Sequence, residues 1–319
     1  MTNGLMNLRL LFLICLSALI YLGSAFQPAL LDDADAANAE TAREMVERKD
    51  WVTMHMNGVR FLEKAPLMYW AIASSFKLFG VSTFTARLPL AIATILLVVL
   101  VYAFGKWMSG ERAGIYAGLS LCVGLGTYLF TRILIFEVIL TLWITLAIFI
   151  FVKVYYEELN PNWIYAFYAC LAAAVLSKAL IGVLFPLGIL FFFVLLTNGW
   201  KRVWQMKPIS GTLLFFLLAT PWHVLAGIRN DKFFWFYFIN EHVKRFLGTR
   251  YPMDYDTVPL IPFWLGHLVW LFPFSVFLPL AIRNLKTLWR PVERREKLRL
   301  LAILWFLVII GFFSFSTRQ

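Results

Sequence analysis

Residues 31–70 read LDDADAANAETAREMVERKDWVTMHMNGVRFLEKAPLMYW, a run of charge and polarity in a chain that is otherwise mostly apolar. Asp32, Asp33 and Asp35 open this run, and the pair Glu63–Lys64 closes it just before apolar residues resume. Carboxylates between hydrophobic spans are costly in a membrane protein and usually serve its function. We therefore interpret the stretch as a catalytic loop, held by the apolar segments on either side.

The composition of the whole chain is that of a membrane protein. Of the 319 residues, 61% are hydrophobic, 18% are aromatic and only 15% are charged, which lies outside the range of soluble domains. The net charge of +11 is explained by basic residues in short cytoplasmic loops, and not by nucleic-acid binding. Cys15, Cys122 and Cys170 lie within apolar runs and are interpreted as small buried hydrophobes. The sequence predicts an all-α polytopic membrane protein.

Apolar segments long enough to cross about 30 Å of hydrocarbon recur along the chain. The first is interpreted as an uncleaved helix and not as a signal peptide, because its apolar core is long. Between the first two spans, good helix formers predict a short helix over 35–48 along the membrane surface, and a second interfacial or re-entrant helix over 66–80. We expect about nine spans in one transmembrane domain, at residues 8–26, 84–104, 112–130, 136–156, 163–178, 180–197, 209–228, 258–282 and 300–316.

The charges of the loops predict the orientation. With the N-terminus in the cytoplasm, the loops on that side carry clusters of Lys and Arg, of which the largest lies between residues 283 and 299. The positive-inside rule then places the loop 27–82 and a second loop, 229–257, on the outer face of a bacterial inner membrane. Glu137 and Lys178 fall on the same face. Any one of these charges could be helix-end decoration, but together they suit an acid that activates a hydroxyl and cations that hold a phosphate.

Several motifs resemble those of a known family. LDDADAANAETAREM, KDW, NGVRF and EKAPLMYW are similar to the first periplasmic loop of lipid-linked-sugar glycosyltransferases of the aminoarabinose transferase and protein mannosyltransferase type, which have the GT-C fold. The likeness continues at TRILIFEV, SKALIG, ATPWHVL, NEHVKRFL and HLVWLFPFSVFLP, nearly from end to end. The family commonly has an Asp-Glu pair where this chain has DDAD, and Asp where it has Glu137.

The resemblance implies an inverting transfer of one sugar from a polyprenyl-phosphate carrier to a periplasmic acceptor such as lipid A, another glycan or a protein. Its catalytic base would be Asp33 or Asp35, and the irregular spacing leaves open which; Glu137 joins the catalytic set. Positive charge must stabilise the departing phosphate. By resemblance Lys64 supplies it, helped by Lys178 and Arg245.

Glu63 and His242 match residues that approach a divalent metal in aminoarabinose transferases. Two ligands are too few to specify a metal site, so a Glu–His hydrogen bond between two loops is the alternative. The aromatic runs at 233–238 and 270–274 favour a membrane-interface belt over a sugar-stacking platform.

Two classes of function remain open from the sequence. The first is the GT-C glycosyltransferase. The second is a non-catalytic membrane protein, either a lipid-linked-sugar transporter or flippase, or a truncated pseudo-enzyme, since family members usually continue with further spans and a C-terminal soluble domain. Charges gathered at one surface, with no visible repeat, favour the enzyme.

Overall fold

The computed structural model describes residues 2–30, 33–157, 159–253, 258–283 and 293–315, and their side chains except those of residues 2–7 and 33. The helices are α1 (Thr2–Gly23), α2 (Asp33–Arg48), α3 (Leu67–Phe79), α4 (Thr83–Ser109), α5 (Glu111–Cys122), α6 (Leu125–Arg132), α7 (Glu137–Tyr156), α8 (Pro161–Lys178), α9 (Ile181–Thr197), α10 (Trp200–Gln205), α11 (Pro208–Arg229), a π-helix (Trp235–Lys244), α12 (Leu260–Trp270), α13 (Leu278–Arg283) and α14 (Arg294–Phe315). Short 3-10 turns cover Ser24–Phe26 and Phe274–Phe277, and β1 (His55–Met56) pairs antiparallel with β2 (Val59–Arg60).

Local sequence explains where the long helices begin and end. Ser82 caps α4 by accepting a hydrogen bond from the amide of Thr85 at 3.2 Å, while the Thr85 hydroxyl accepts one from the amide of Ser82 at 3.0 Å. Such reciprocal capping satisfies two amides that a helix start leaves unpaired. Gly110, at φ 91°, ends α4 in a conformation that glycine tolerates best. Pro161 occupies the first turn of α8, where its missing amide hydrogen is no loss.

The described helices only partly test the predicted number of spans. Among the described residues, five helices are long and apolar enough to cross a membrane, and up to seven spans result if each of two bent helix pairs counts as one. The predicted span 112–130 is the pair α5 and α6, bent by 50°, and the predicted span 258–282 is the pair α12 and α13, bent by 102°. The second break falls at Pro273, whose ring and missing amide hydrogen favour a break, although Pro89, Pro186 and Pro221 lie inside continuous helices. Nine spans, which would add α8 and α9, stay a prediction.

The two largest of four buried hydrophobic clusters in the described residues lie in different parts of the molecule. One packs α7, α8, α9 and α14 through residues such as Ile148, Phe167 and Phe193. The other packs α2 and α3 against the start of α7, the end of α11 and the π-helix. The second core contains no complete predicted span, so it lies at one end of the bundle. Residues 33–70 of the polar stretch are therefore part of a folded cap on the helices.

The helices of this cap agree with those predicted from the sequence. The helices expected over 35–48 and 66–80 are α2 and α3. The strands at 55–60 were not expected, and they turn at Asn57 and Gly58, both with positive φ as a tight hairpin requires. The all-helical polytopic prediction is confirmed.

Candidate active site

Asp35 is anchored inside the cap by a buried ion pair. Its Oδ2 lies 3.0 Å from Nη2 of Arg87, and its Oδ1 accepts a hydrogen bond from the amide of Leu134 at 2.6 Å. Arg87 also donates to the carbonyls of Pro28 at 2.6 Å and of Arg132 at 2.7 Å. The Asp35 and Arg87 side chains are only 5% and 3% exposed. Both oxygens of Asp35 are thus engaged in joining α2 to α4 and to the segment before α7.

A second buried contact strengthens the same junction. Asn38, one turn after Asp35, donates to the carbonyl of Leu134 at 2.6 Å and accepts from the hydroxyl of Tyr69 at 2.7 Å. The Tyr69 ring packs edge-on against Phe136. Polar groups this deeply buried need partners, and each of these has one. The start of α2 is therefore held rigidly beside the start of α7. Asp33 is the first residue of α2, and its side chain lies outside the described part of the structure.

Glu137 and Lys178 form an ion pair. Glu137 is the first residue of α7 and Lys178 the last of α8, and the Lys178 ammonium donates to Glu137 Oε1. Helix α8 ends at Ala179, whose φ is 51°. Helix α9 then starts so close to α8 that a Cβ at Gly182 would lie 2.3 Å from the backbone of Ala174. Glycine therefore allows the tight turn that places Lys178 where α8 and α9 meet.

Lys64 lies in the loop before α3, half-buried, with no ion pair to any carboxylate in the part of the chain that the structure describes. Burial lowers the pKa of its ammonium to about 8, and the positive charges of Arg245 and Lys178 act in the same direction. The carboxylates of Glu63 and Glu241 oppose this shift. A lysine destabilised in this way gains most when an anion arrives. Lys64 is thus prepared for a negatively charged ligand.

Glu63, next to Lys64, contacts the guanidinium of Arg250, which lies shortly after the π-helix. Its Oε2 lies 3.0 Å from Nη2 of Arg250, and Nε of Arg250 donates to Glu241 Oε1 at 2.7 Å. Glu241 also lies 3.4 Å from Nη1 of Arg245. The side chains of Glu241 and Arg250 are only 1% and 7% exposed. Two loops that are far apart in sequence therefore meet through buried charges.

His242 lies in the π-helix and is held by its own helix. Its Nδ1 contacts the carbonyl of Tyr237, so Nδ1 carries the proton and Nε2 is left as the acceptor. Burial lowers the pKa of His242, and the positive charges of Lys64 and Arg245 lower it further. The net effect lowers the pKa of His242 and favours the neutral imidazole, although the hydrogen bond to Tyr237 acts in the opposite direction.

These partners do not form a ready metal site. The described residues contain no group of three or more His, Cys, Asp or Glu side chains that could hold a metal ion. Glu63 already contacts Arg250, and His242 contacts Tyr237, so the two residues have separate partners. Zinc normally needs three or four ligands. A metal at Glu63 and His242 stays a prediction, and no step proposed below uses one.

An apolar cavity of about 850 Å³ extends along α8, α9 and α11 beneath this charged cluster. Leu180, two residues after Lys178, lines it, as does Phe238, whose ring is 6.4 Å from that of His242. At its other end it reaches Trp200, Val203 and Met206, in and just after α10. A mostly apolar cavity that follows helices and reaches Leu180, close in sequence to Lys178, suits a long hydrocarbon chain.

Sequence reasoning missed three of the residues that build this site. Arg87 stands at the start of a predicted span, where an arginine with no visible partner was a signal of a buried ion pair. Glu241 and Arg250 carried no such signal, because both lie in a loop already rich in charge. Of the predicted residues, Lys64, Lys178, Arg245, Glu63, Glu137 and His242 interact as described above, whereas Asp35 belongs to the anchor.

Comparison with known proteins agrees with this arrangement. Residues 9–238 match the family described as dolichyl-phosphate-mannose-protein mannosyltransferase. The chain belongs to this family. Among its relatives is the undecaprenyl phosphate-alpha-4-amino-4-deoxy-L-arabinose arabinosyl transferase of Aeromonas hydrophila, 30% identical over 298 residues that cover 87% of this chain and 50% of the relative. The chain thus spans about half the length of the curated relatives it matches.

Solved structures show the fold of the family. ArnT of Cupriavidus metallidurans bound to undecaprenyl phosphate has a TM-score of 0.85 at 22% identity, covering 96% of this chain and 55% of that one. The archaeal oligosaccharyltransferase AglB of Archaeoglobus fulgidus has a TM-score of 0.52 at 14% identity, covering 99% of this chain and 38% of that one. The predicted resemblance to the mannosyltransferase and aminoarabinose transferase family, and the GT-C fold it implies, are confirmed.

Proposed function

We propose that this chain contains the donor-binding and catalytic part of a glycosyltransferase that moves one sugar from a polyprenyl-phosphate carrier to a hydroxyl on an extracytoplasmic acceptor. Two observations together carry the proposal: the charges of Arg245 and Lys178 act on the half-buried Lys64, and Leu180, two residues after Lys178, lines an apolar cavity of about 850 Å³. A phosphate joined to a long hydrocarbon needs both features side by side.

The reaction is a single displacement at the anomeric carbon of the sugar. The acceptor oxygen attacks C1 while its proton passes to a carboxylate, and the bond between C1 and the phosphate oxygen breaks. The electron pair of that bond leaves with the carrier, which becomes a phosphate monoester with one more negative charge. Attack from the side opposite to the leaving group inverts the configuration at C1. The protein must therefore supply one base and enough positive charge for the growing anion.

Asp33 is our candidate for the base. Both oxygens of Asp35 are occupied, one by Arg87 and one by the amide of Leu134, so a proton on Asp35 would compete with a buried ion pair. A base must also reach its substrate within about 3 Å. Asp33 begins the helix that Asp35 anchors, so Asp35 acts as a positioning residue for Asp33.

Lys64, Lys178 and Arg245 are our candidates for the phosphate contacts. The ammonium of Lys64 needs no rearrangement to accept an anion, because no carboxylate in the described ranges contacts it within ion-pair distance. Lys178 is held by Glu137, and Arg245 by Glu241, so both are preoriented donors. Preorganised donors stabilise developing charge at little cost in reorganisation. Glu137 then acts by orienting Lys178.

The donor and location follow from the relatives and the charge pattern. The named Aeromonas hydrophila relative is a transferase of 4-amino-4-deoxy-L-arabinose from undecaprenyl phosphate. We infer an undecaprenyl-type monophosphate donor, a site on the periplasmic side of a bacterial inner membrane, and an acceptor that is lipid A, another glycan or a protein.

The experiment uses the purified chain in lipid nanodiscs with polyprenyl-phosphate sugars and an acceptor mixture of lipid A, glycans and proteins, all from bacterial membranes. Carrier binding and sugar release are measured for wild type, Lys64→Gln and the exposed control Lys77→Gln. Lys64→Gln should weaken carrier binding about tenfold or more, which corresponds to one good charge-assisted contact, and Lys77→Gln should leave it unchanged. Carrier binding with no sugar release in wild type would support the non-catalytic alternative, and no binding at all would reject both.

A further inference from the structure

Arg250 joins two carboxylates from different loops with one guanidinium. Its Nε donates to Glu241 Oε1 at 2.7 Å, and its Nη2 lies 3.0 Å from Glu63 Oε2. Glu241 belongs to the π-helix, whereas Glu63 lies in the loop that precedes α3. A planar guanidinium suits this geometry because its nitrogens point in fixed, different directions.

Asn240 fixes the backbone beside Arg250. Its Nδ2 donates to the carbonyl of Tyr251 at 2.7 Å, and its Oδ1 accepts from the amide of Tyr251 at 3.1 Å. The same Nδ2 lies 3.1 Å from Glu241 Oε1. Asn240 is fully buried, and Glu241 and Arg250 nearly so. The returning chain at residues 250–251 is thus tied to the π-helix from both its backbone and its side chain.

The contact between Glu63 and Arg250 also restricts Lys64, because Glu63 and Lys64 are adjacent in the chain. Glu63 and Lys64 are neighbours, so whatever fixes the Glu63 carboxylate limits where the Lys64 ammonium can lie. Arg250 is the only described cation within 4 Å of the Glu63 carboxylate. Without it, the Glu63 side chain, 27% exposed, could turn to solvent and take the loop with it.

We propose that Asn240, Glu241 and Arg250 form a clasp that positions Glu63 and thereby holds Lys64 at the carrier phosphate. These are positioning residues, since none of them needs to touch the substrate. The proposal rests on the function proposed above and adds a specific prediction to it. Loss of the clasp weakens donor binding and leaves acceptor binding unchanged.

A double-mutant cycle tests the clasp. Arg250→Gln alone leaves the buried carboxylate of Glu241 without its closest cation, and such a variant can fail to fold. Glu241→Gln with Arg250→Gln removes both buried charges at nearly constant volume, but it also takes Glu241 from Arg245. Glu63→Gln, which breaks only the contact with Arg250, is therefore measured beside it, and the clasp requires the donor KM to rise in both variants. We expect the KM for the polyprenyl-phosphate sugar to rise about tenfold to a hundredfold in the double variant, with an unchanged KM for the acceptor. The variant Arg250→Lys keeps the positive charge, but its donor KM should still be higher than that of wild type, because one ammonium cannot replace two divergent nitrogens.

The control breaks an exposed ion pair elsewhere. Arg43→Gln removes the contacts of Arg43 with Glu40 and Glu47 on the outside of α2, and the donor KM should stay at the wild-type value. Binding of undecaprenyl phosphate alone, measured by intrinsic fluorescence, separates the two proposals. If wild type does not bind this lipid, the proposed function fails. If wild type binds it and the double variant binds it equally well, the clasp is wrong.

Discussion

The two charged regions of the cap differ in how completely they are satisfied. Around Asp35 and Arg87, both carboxylate oxygens and three guanidinium nitrogens have close partners, and both side chains are nearly inaccessible. Around Lys64, a half-buried ammonium has positive neighbours and no carboxylate within ion-pair distance among the described residues. A satisfied buried charge stabilises a fold or fixes its geometry, whereas an unsatisfied one is prepared for a ligand. We therefore interpret the first region as an anchor and propose the second as a binding site.

The largest effect should come from breaking the anchor. Arg87→Gln leaves the buried Asp35 carboxylate without its cation, and we expect it to lower the free energy of unfolding by about 3–5 kcal/mol. Thermal unfolding in detergent measures the change. Adding Asp35→Asn removes the isolated charge and should recover much of the loss. Equal stability of Arg87→Gln and wild type would show that the ion pair does not anchor α2.

Substitution of Lys64 should strongly reduce sugar transfer without reducing stability, which is the opposite of the effect expected at Arg87. Lys64→Gln removes an ammonium whose pKa is lowered by burial and by neighbouring positive charges, so the variant should be at least as stable as wild type. Sugar transfer should fall about a hundredfold, as expected when a preorganised donor to a developing anion is lost. Transfer rate and unfolding midpoint are read from the same preparation. A variant that unfolds early but transfers normally would reverse the assignment of the two regions.

A smaller effect should appear with pH. The pKa of Lys64 is lowered to about 8, and the ammonium is the form that attracts phosphate. Affinity for the carrier should therefore be full well below pH 8 and decrease as pH rises through that value. In Lys64→Arg the side chain stays charged, so its carrier affinity should be nearly the same at pH 7 and pH 9. Identical pH profiles for wild type and Lys64→Arg would contradict this account of Lys64.

The smallest effect belongs to the exposed charges of the same helix. Arg43 contacts Glu40 and Glu47 at the surface of α2, with 39% of its side chain exposed. Solvent-exposed ion pairs contribute little, so Arg43→Gln should change the free energy of unfolding by less than about 1 kcal/mol. If Arg43→Gln lost as much stability as Arg87→Gln, burial would not explain why the Asp35–Arg87 pair is expected to contribute more than the exposed pairs of Arg43.

The cap could largely be predicted from sequence because its signals are local. Residues 35–48 lack Gly and Pro and form α2, and the apolar run after Pro66 forms α3. The breaks within two predicted spans were missed because hydropathy alone does not register a bend. The partners of charges were the least predictable feature. Asp33 and Asp35 look equivalent in sequence, and only the contacts of Asp35 with the distant Arg87 and Leu134, which occupy both of its oxygens, set it apart.

Sugar transfer by Asp33→Asn and Asp35→Asn, each compared with wild type at equal carrier occupancy, tests the central claim most directly. The account predicts that Asp33→Asn binds the polyprenyl-phosphate donor normally but transfers its sugar at less than about 1% of the wild-type rate, as for loss of a general base. Asp35→Asn should lose stability and keep measurable transfer in the fraction that remains folded. Wild-type transfer by Asp33→Asn would contradict the account.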